Sequence, residues 1–254
     1  MCGIHAVLCA NKAAADAHQI SPDLKRRLCN RGPDYYGQVE RQCQCPTGNG
    51  SHGQDPNCWT LRFTSTVLAL RGDHVTQQPL FDPGSDSVLC WNGEAWRIGG
   101  QVVAGNDGEA ILDLLVKASA CSSSSEDPVL DVFRSIEGPF AFVYYHAPSQ
   151  KVFFARDRLG RRSLMISNDE SAGTLVISSI AEACDPSWKE VEPDGIYVLS
   201  LDGQGHVSLE QPPRAPVRRD WLVDGQADFV SRSTPFPLSM SACLFSCFPT
   251  WDGD

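Results

Sequence analysis

The sequence lacks any long apolar run and any excess of positive charge. Across its 254 residues, no apolar stretch reaches the roughly 18 residues that a membrane-spanning helix needs. No basic leader followed by an apolar segment opens the chain, so we expect no secretory signal peptide and no membrane partner. The formal net charge of −10 at pH 7 argues against nucleic acid as a partner, because phosphate binding requires a basic surface.

The 11 cysteines follow neither a disulfide framework nor a zinc pattern. An odd count without a secretory signal predicts reduced thiols in the cytosol or nucleus, and we expect a cytoplasmic protein. Cys43, Cys45 and Cys58 lie in a Gly/Pro/Asn-rich stretch, which raises the question of zinc. A C-x-C pair followed by one distant cysteine is not the usual paired ligand spacing, so no metal site is expected.

The composition is that of an ordinary globular protein, with 42% hydrophobic and 20% charged residues. Strands are predicted at six apolar runs, several of them apolar on both faces: 2–9, 65–71, 87–91, 139–145, 151–155 and 174–178. "APSQ" at 147–150 is typical of a hairpin turn between two of these strands. Strands this apolar are buried on both faces, which predicts a layered α/β sandwich.

Helices are predicted at two places. Ser21 can cap a short helix whose first residue is Pro22, and the helix ends at "NRGPD" because Gly-Pro cannot continue it. Residues 107–118, "DGEAILDLLVKA", carry an apolar stripe at helical spacing, and Asn106 or Asp107 can cap this helix. Three segments are predicted as irregular: a surface insertion at 41–58, a flexible link at 122–128 and a linker with an irregular tail at 201–254.

Polar residues cluster where strands or turns end, and each cluster has an ordinary structural explanation. Cys2 can follow Met1 by chance, and Arg31 with Asp34 can be a structural turn pair. Asn92-Gly93-Glu94 can be a hairpin turn, and Asp107 can cap a helix. Arg71 closes an apolar strand.

Taken together, these clusters match the chemistry of an amino acid that carries an amide. Such a ligand needs a cation for its carboxylate, anions for its ammonium group and donors for a developing oxyanion. The cation could be Arg71, and the anions could be Glu94 and Asp107. The donors could be the Asn92 amide and the Gly93 N–H. After removal of Met1, Cys2 would carry both a thiol and an α-amine, and the thiol could attack the amide carbon.

The motifs MCGI, RGPD, NGE, ND-x-E and ARDRLGRRSL occur in the same order as in the class II, N-terminal-nucleophile glutamine amidotransferases. The chain resembles the glutaminase half of asparagine synthetases over about residues 2–200. The compact "LALRGDHVTQQPL" is similar to the subgroup called asparagine synthetase domain-containing proteins. The resemblance implies an α+β fold, a four-layer αββα sandwich of the N-terminal nucleophile hydrolase type.

The resemblance also implies roles for individual residues. Cys2 would be the nucleophile, with Asn92 and Gly93 forming the oxyanion hole. Glutamine would be bound by four residues: Arg71, Val75, Glu94 and Asp107. The reaction would give glutamate and ammonia through a Cys2 thioester, without a cofactor, and would serve asparagine biosynthesis. Arg31 would order the turn beside Cys2, while Arg156 and Asp157 match a structural motif.

Two departures from the family limit the resemblance. His5 stands where the family more often has an apolar or aromatic residue, and it either tunes the site or is a packed histidine. The phosphate-cradling S-G-G-x-D-S string of the synthetase domain does not occur in this sequence. ATP and Mg²⁺ would belong to that domain, so we expect no ATP binding and no asparagine formation by this chain alone. A separate ammonia-accepting synthetase domain is then an expected partner, and a silent regulatory homologue or a truncated gene product is the alternative.

Overall fold

Short strands dominate the structure, and the strands at the centre of its two large sheets are buried. The computed structural model describes residues 1–10, 12–43, 59–121, 127–169, 171–183, 185–201, 217–219 and 221. Within these ranges the helices are α1 (Lys12–Ala17), α2 (Pro22–Arg31), α3 (Asp107–Cys121) and α4 (Asp127–Arg134), with one 3₁₀ turn at Ala147–Ser149. The strands are β1 (Gly3–Cys9), β2 (Tyr35–Gln42), β3 (Thr60–Val67), β4 (Leu80–Phe81), β5 (Val88–Gly93), β6 (Arg97–Ile98), β7 (Gln101–Val102), β8 (Ile136–Glu137), β9 (Phe140–His146), β10 (Lys151–Arg156), β11 (Met165–Asp169), β12 (Thr174–Ser178), β13 (Lys189–Glu190), β14 (Ile196–Ser200) and β15 (Val217–Arg219).

Two six-stranded sheets form the centre of the fold. The first sheet has the order β13-β11-β12-β1-β3-β2 and the second has the order β15-β14-β10-β9-β5-β4. Every pairing between neighbouring strands is antiparallel. A third, three-stranded sheet has the order β7-β6-β8.

The apolar side chains divide into layers because alternate residues of a strand point to opposite faces. From β1, the side chains of Ile4, Ala6 and Leu8 enter the core between the two sheets. Val7 and Cys9 of the same strand pack on the other face with Ala15 of α1. The far side of the second sheet is covered by α3 and α4, through Ile111, Leu115, Leu130, Phe133 and their neighbours.

The layers are therefore helices, sheet, sheet, helices, and the predicted αββα sandwich is confirmed. The predicted strands at 2–9, 87–91, 139–145, 151–155 and 174–178 are present to within two residues at each end. The hairpin turn at 147–150 is also present, with Gln150 in the left-handed region at φ 50°. Ser21 caps α2, since its Oγ accepts a hydrogen bond from the Leu24 N–H at 3.1 Å.

One local prediction is wrong in its boundary. The strand predicted at 65–71 ends at Val67, because the next N–H groups bond outside the sheet, that of Leu68 to the Cys2 thiol and that of Ala69 to Asp34. Of the link predicted at 122–128, residues 122–126 lie outside the described residues, and residues 127–128 belong to α4, a helix that was not predicted from the sequence. Most of the insertion predicted at 41–58 lies outside the described residues, although β2 extends through residues 41–42.

The body of the fold continues beyond residue 200, where the sequence reading placed its boundary. The strand β15 pairs with β14, and the Trp221 indole N–H donates to the Pro193 carbonyl at 3.1 Å. Residues 1–221 form one unit. Residues 222–254 lie outside the described part of the chain. None of the described helices is both long and apolar enough to cross a bilayer.

Candidate active site

A cleft of about 250 Å³ opens where the start of β1 meets the ends of β3 and β5. It contains polar groups from five separate parts of the chain. Six of the seven site residues expected from the sequence line it: Cys2, Arg71, Asn92, Gly93, Glu94 and Asp107. The seventh, Val75, is 43% exposed and is not part of the lining.

Cys2 precedes β1, and its thiol lies against the backbone of Leu68. The Leu68 N–H donates to Sγ at 3.5 Å, and the Leu68 carbonyl oxygen is 3.8 Å from Sγ. Burial raises the pKa of the Cys2 thiol, while the Leu68 N–H and the nearby α-ammonium oppose the rise. At neutral pH this thiol is protonated, so an attack by sulfur requires a proton acceptor.

Met1 covers part of the cleft in the unprocessed chain. Its α-ammonium donates to the Arg31 carbonyl at 3.3 Å, and its sulfur lies 3.1 Å from Nη1 of Arg162. Burial lowers the pKa of this α-ammonium; the Cys2 side chain opposes the change, and the charges of Arg31 and Arg162 add to it. Two guanidinium groups therefore surround the position of the chain terminus.

Arg31 joins the end of α2 to the residue that carries the thiol. Its Nε donates to the Cys2 carbonyl at 3.2 Å, and its Nη1 donates to Ser163 Oγ at 3.0 Å. The guanidinium holds the backbone of Cys2 rather than its thiol. It is therefore placed to order the strand end, as the resemblance implied.

The rest of the RGPD turn docks on the end of β3. A Cβ at Gly32 would lie 2.4 Å from the backbone of Thr66 and Val67, so only glycine fits this approach. The Asp34 N–H donates to the Val67 carbonyl at 2.9 Å, and its carboxylate accepts from the Ala69 N–H at 2.7 Å. This turn fixes the backbone that carries Leu68, and hence the environment of the thiol.

Asn92 and Gly93 are the last two residues of β5, paired with β9, and so the hairpin-turn explanation for these two residues is wrong. Asn92 is buried, and its Nδ2 has no hydrogen-bond partner within the described part of the chain. A Cβ at Gly93 would lie 2.6 Å from the Pro139 carbonyl and Phe140. The cleft thus contains a buried amide donor with unused capacity.

Asp107 is the buried carboxylate of the cleft. Its Oδ2 accepts from the Trp91 indole N–H at 3.0 Å and from the Ala95 N–H at 2.7 Å. The capping bond of α3 is made instead by Asn106, whose Oδ1 accepts from the Glu109 N–H at 3.2 Å. The cap explanation for Asp107 is therefore wrong. Glu94, by contrast, is exposed at the rim.

Arg71 fastens the segment that follows the NGE motif. Its Nη1 donates to the Ala95 carbonyl at 2.8 Å and its Nη2 donates to the Val103 carbonyl at 2.7 Å. Ala95 is thereby held from both sides, by Arg71 at its carbonyl and by Asp107 at its N–H. Further N–H groups of the guanidinium are left for a ligand.

Several lining residues were not predicted from the sequence. They include the backbone segment 67–70 and the side chains of Thr76, Gln78, Trp91 and Arg162. Gln78 Oε1 accepts from the Trp91 N–H at 2.9 Å, which ties the QQPL segment to β5. Arg162 belongs to the run ARDRLGRRSL, and its Nε is buried without a partner among the described residues. The sequence offered two signals for these residues: Trp91 lies directly before the NGE motif, and Arg162 lies within the ARDRLGRRSL motif.

Arg156 and Asp157, set apart as structural in the sequence, do not line the cleft. Asp157 is buried and accepts hydrogen bonds from the N–H groups of Phe140, Leu159 and Arg161 at 3.1 Å each. Arg156 donates to Glu190 at 2.5 Å and also to the Gly160 carbonyl. Both residues hold the loop that carries Arg162.

The remaining expectations concern His5 and metals. His5 is 3% exposed and points away from the cleft, on the opposite face of β1 from Ile4. Among the described residues no group of His, Cys, Asp or Glu could hold a metal ion. Cys43 is buried, while Cys45 and Cys58 lie outside the described ranges.

Residues 66–185 match the family described as glutamine amidotransferase domain. Asparagine synthetase domain-containing protein 1 of Gallus gallus is 32% identical over 206 residues, which cover 79% of this chain and 29% of that protein. Asparagine synthetase B [glutamine-hydrolyzing] of Escherichia coli (strain K12) is 25% identical over 233 residues, covering 87% of this chain and 36% of that protein. The chain thus spans well under half the length of these curated relatives.

Among solved structures, the glutamine phosphoribosylpyrophosphate amidotransferase of B. subtilis, complexed with ADP and GMP, has a similar fold. It superimposes with a TM-score of 0.53 at 14% identity, covering 87% of this chain and 50% of that one. At this identity the likeness concerns the fold alone.

Proposed function

We propose that the chain hydrolyses glutamine to glutamate and ammonia through a Cys2 thioester. The proposal starts from the family to which the chain belongs, the class II glutamine amidotransferases of the asparagine synthetase type. The observation that supports this is the convergence, in one cleft, of a terminal thiol, an unpartnered buried amide donor and side chains of opposite charge.

The nucleophile would be the Cys2 thiol after removal of Met1. The thiol proton passes to the α-amine of Cys2. An ordinary α-amine has a pKa of about 8, so a fraction of the molecules carry a neutral amine near pH 7. Sulfur forms a bond to the side-chain amide carbon of glutamine. When the tetrahedral adduct collapses, the C–N bond breaks and the proton leaves with nitrogen as ammonia. Water then attacks the thioester, the C–S bond breaks, and glutamate and the thiol are released.

The oxyanion of the adduct would be stabilised by Asn92 Nδ2 and the Gly93 N–H. In favour of this role, Asn92 is 1% exposed, so a hydrogen bond from Nδ2 would be made away from bulk water. Donors fixed before the reaction stabilise a developing charge without reorganisation, and losing one such donor typically costs about 10²–10³ in kcat.

The α-amino acid end of glutamine would be bound by charge. The remaining N–H groups of Arg71 would face the α-carboxylate, and the carboxylates of Asp107 and Glu94 would face the α-ammonium. Asp107 is the better fixed of the two, because Trp91 and Ala95 already orient it. Val75 would be a peripheral contact at most, since it stands outside the lining.

The ammonia would be used by a separate synthetase domain, and the pathway would be asparagine biosynthesis. The names of the relatives from Gallus gallus and Escherichia coli support this link. The glutaminase step itself needs no cofactor, and ATP with Mg²⁺ would act at the accepting domain.

A silent, regulatory chain is the second candidate, and the position of Met1 favours it for unprocessed molecules. Met1 lines the cleft and holds its α-ammonium on Arg31, so a chain that retains Met1 lacks the amine that would accept the thiol proton. Intact mass spectrometry of the purified protein separates the two candidates, because hydrolysis requires loss of Met1.

The test is ammonia and glutamate release from glutamine by protein whose N-terminus is shown to be Cys2. Cys2→Ala should abolish both products. Cys29→Ala, a partly buried thiol on α2, should leave the rate unchanged. Equal rates for the processed protein and Cys2→Ala would refute the mechanism. A purified protein that retains Met1 would support the second candidate, a silent regulatory chain.

A further inference from the structure

A second cavity, of about 690 Å³, lies on the outer face of the first sheet, between strands β1, β3 and β2, the segment 18–20 and the start of α2. None of its lining residues lines the cleft that holds Cys2. Its floor is a row of three side chains on neighbouring strands, His5, Thr64 and Gln38, which are in register. These three are polar and uncharged where a sheet covered by helices would ordinarily be apolar.

His5 is the unusual member of this row. It is 3% exposed, and neither ring nitrogen has a hydrogen-bond partner among the described residues. Burial, assisted by the neighbouring His18, lowers the pKa of His5 to about 3, so the imidazole is neutral. A neutral imidazole has one N–H donor and one nitrogen acceptor, and both are unused here. A buried polar group without partners destabilises the fold, and a ligand that supplied both hydrogen-bond partners would remove that penalty.

The surroundings of His5 favour an anion. Lys25 of α2 lies over the Tyr36 ring, with Nζ 4.7 Å from the centroid, and no ion pair of the described residues includes Lys25. The pKa of His18 is lowered by burial and then by the positive charge of Arg62. Glu182 opposes this shift, and Arg62 is paired with Glu40, which also lines the cavity, so the excess positive charge of the lining is that of Lys25.

Arg62 itself is already engaged. Its Nε and Nη2 donate to Glu40 at 3.3 and 3.0 Å, and its Nη1 donates to the carbonyls of Ala15 and His18. The charges of Arg62 and Glu40 offset each other, and Lys25 is the lining cation that no ion pair of the described residues includes.

We propose that this cavity binds a small phosphomonoester, with the phosphate between His5 and Lys25 and the organic part in the remaining volume. A phosphomonoester near its second ionisation carries both P–O⁻ and P–OH groups. It can therefore accept from the His5 N–H and donate to the other ring nitrogen. Sulfate and carboxylate ions offer acceptors only. The volume is also within the range of about 300–1,000 Å³ typical of small-molecule sites.

The experiment compares inorganic phosphate, sulfate, AMP and adenosine by isothermal titration calorimetry at about pH 6, where half of a phosphomonoester is the monoanion. Phosphate should bind about tenfold more tightly than sulfate, as one additional hydrogen bond predicts. AMP should bind more tightly than phosphate, and adenosine should not compete with it. His5→Phe keeps an aromatic ring of similar size and should abolish the preference for phosphate over sulfate. Lys25→Met should weaken both anions, and Arg26→Met, on the same helix but outside the cavity, should change neither.

Several results would overturn the proposal: equal affinities for phosphate and sulfate, a preference that survives His5→Phe in a folded variant, no phosphate binding at millimolar concentration, or phosphate binding without AMP binding. None of these outcomes bears on glutamine hydrolysis, because the two sites share no residue.

Discussion

Replacing His5 by phenylalanine should remove a large part of the acid sensitivity of this protein. Burial lowers the pKa of His5 from 6.5, the ordinary value that holds in the unfolded chain, to about 3 in the folded chain. Between those values the unfolded chain binds a proton that the folded chain does not bind, so the free energy of unfolding falls as the pH falls. This contribution is intact above pH 6.5 and is lost progressively on the way to pH 3.

The size of the effect follows from the same two values. Going from about pH 7 to about pH 5, the protonation of unfolded His5 lowers the free energy of unfolding by about 2 kcal/mol. For a chain of this length that corresponds to a fall in Tm of about 4–8 °C. Carboxylates lower the stability in acid as well, but they do so equally in the wild type and in His5→Phe.

The assay is urea unfolding in phosphate-free buffer at both pH values. The difference in unfolding free energy between the two pH values should be about 2 kcal/mol smaller in His5→Phe than in the wild type. His74→Gln is the matched control, because the pKa of exposed His74 is raised by Asp73 and Glu109 rather than lowered. An equal pH difference in wild type and His5→Phe would show that His5 is not a buried neutral imidazole.

Two further substitutions test the cleft and its support. Asp107→Asn should lower kcat/KM for glutamine about 10- to 100-fold, because one charge-assisted contact is lost. Asp113→Asn, on the exposed face of α3, should leave kcat/KM unchanged. Equal losses in the two variants would contradict a role for Asp107 in binding the ammonium group. Gly32→Ala should lower the free energy of unfolding by about 1–3 kcal/mol, because the new Cβ would meet the backbone of β3. Gly84→Ala is the control: its Cβ would lie 3.6 Å from the nearest atom, so the change in unfolding free energy in the same urea titration should be near zero.

The sequence could predict most of the residues that line the cleft, because the chemistry proposed for them is tied to motif and position. Cys2 is notable only through its position directly after Met1. The substrate proposed for it was inferred from RGPD, Arg71, NGE and Asp107. Buried strands apolar on both faces likewise predicted the layers, since burial on two faces leaves a direct trace in composition.

The tertiary structure alone decided which groups meet and what each one is bonded to. Leu68 lies beside Cys2 because β3 ends at Val67 and its freed N–H turns to the thiol, which no local pattern predicts. Asp107 is a buried anchor rather than a helix cap because Trp91 and Ala95, distant in sequence, donate to it. His5 is three residues from Cys2 in the chain, yet it faces a different cavity, because successive side chains of a strand point to opposite faces and only the packing of two layers decides what each face meets.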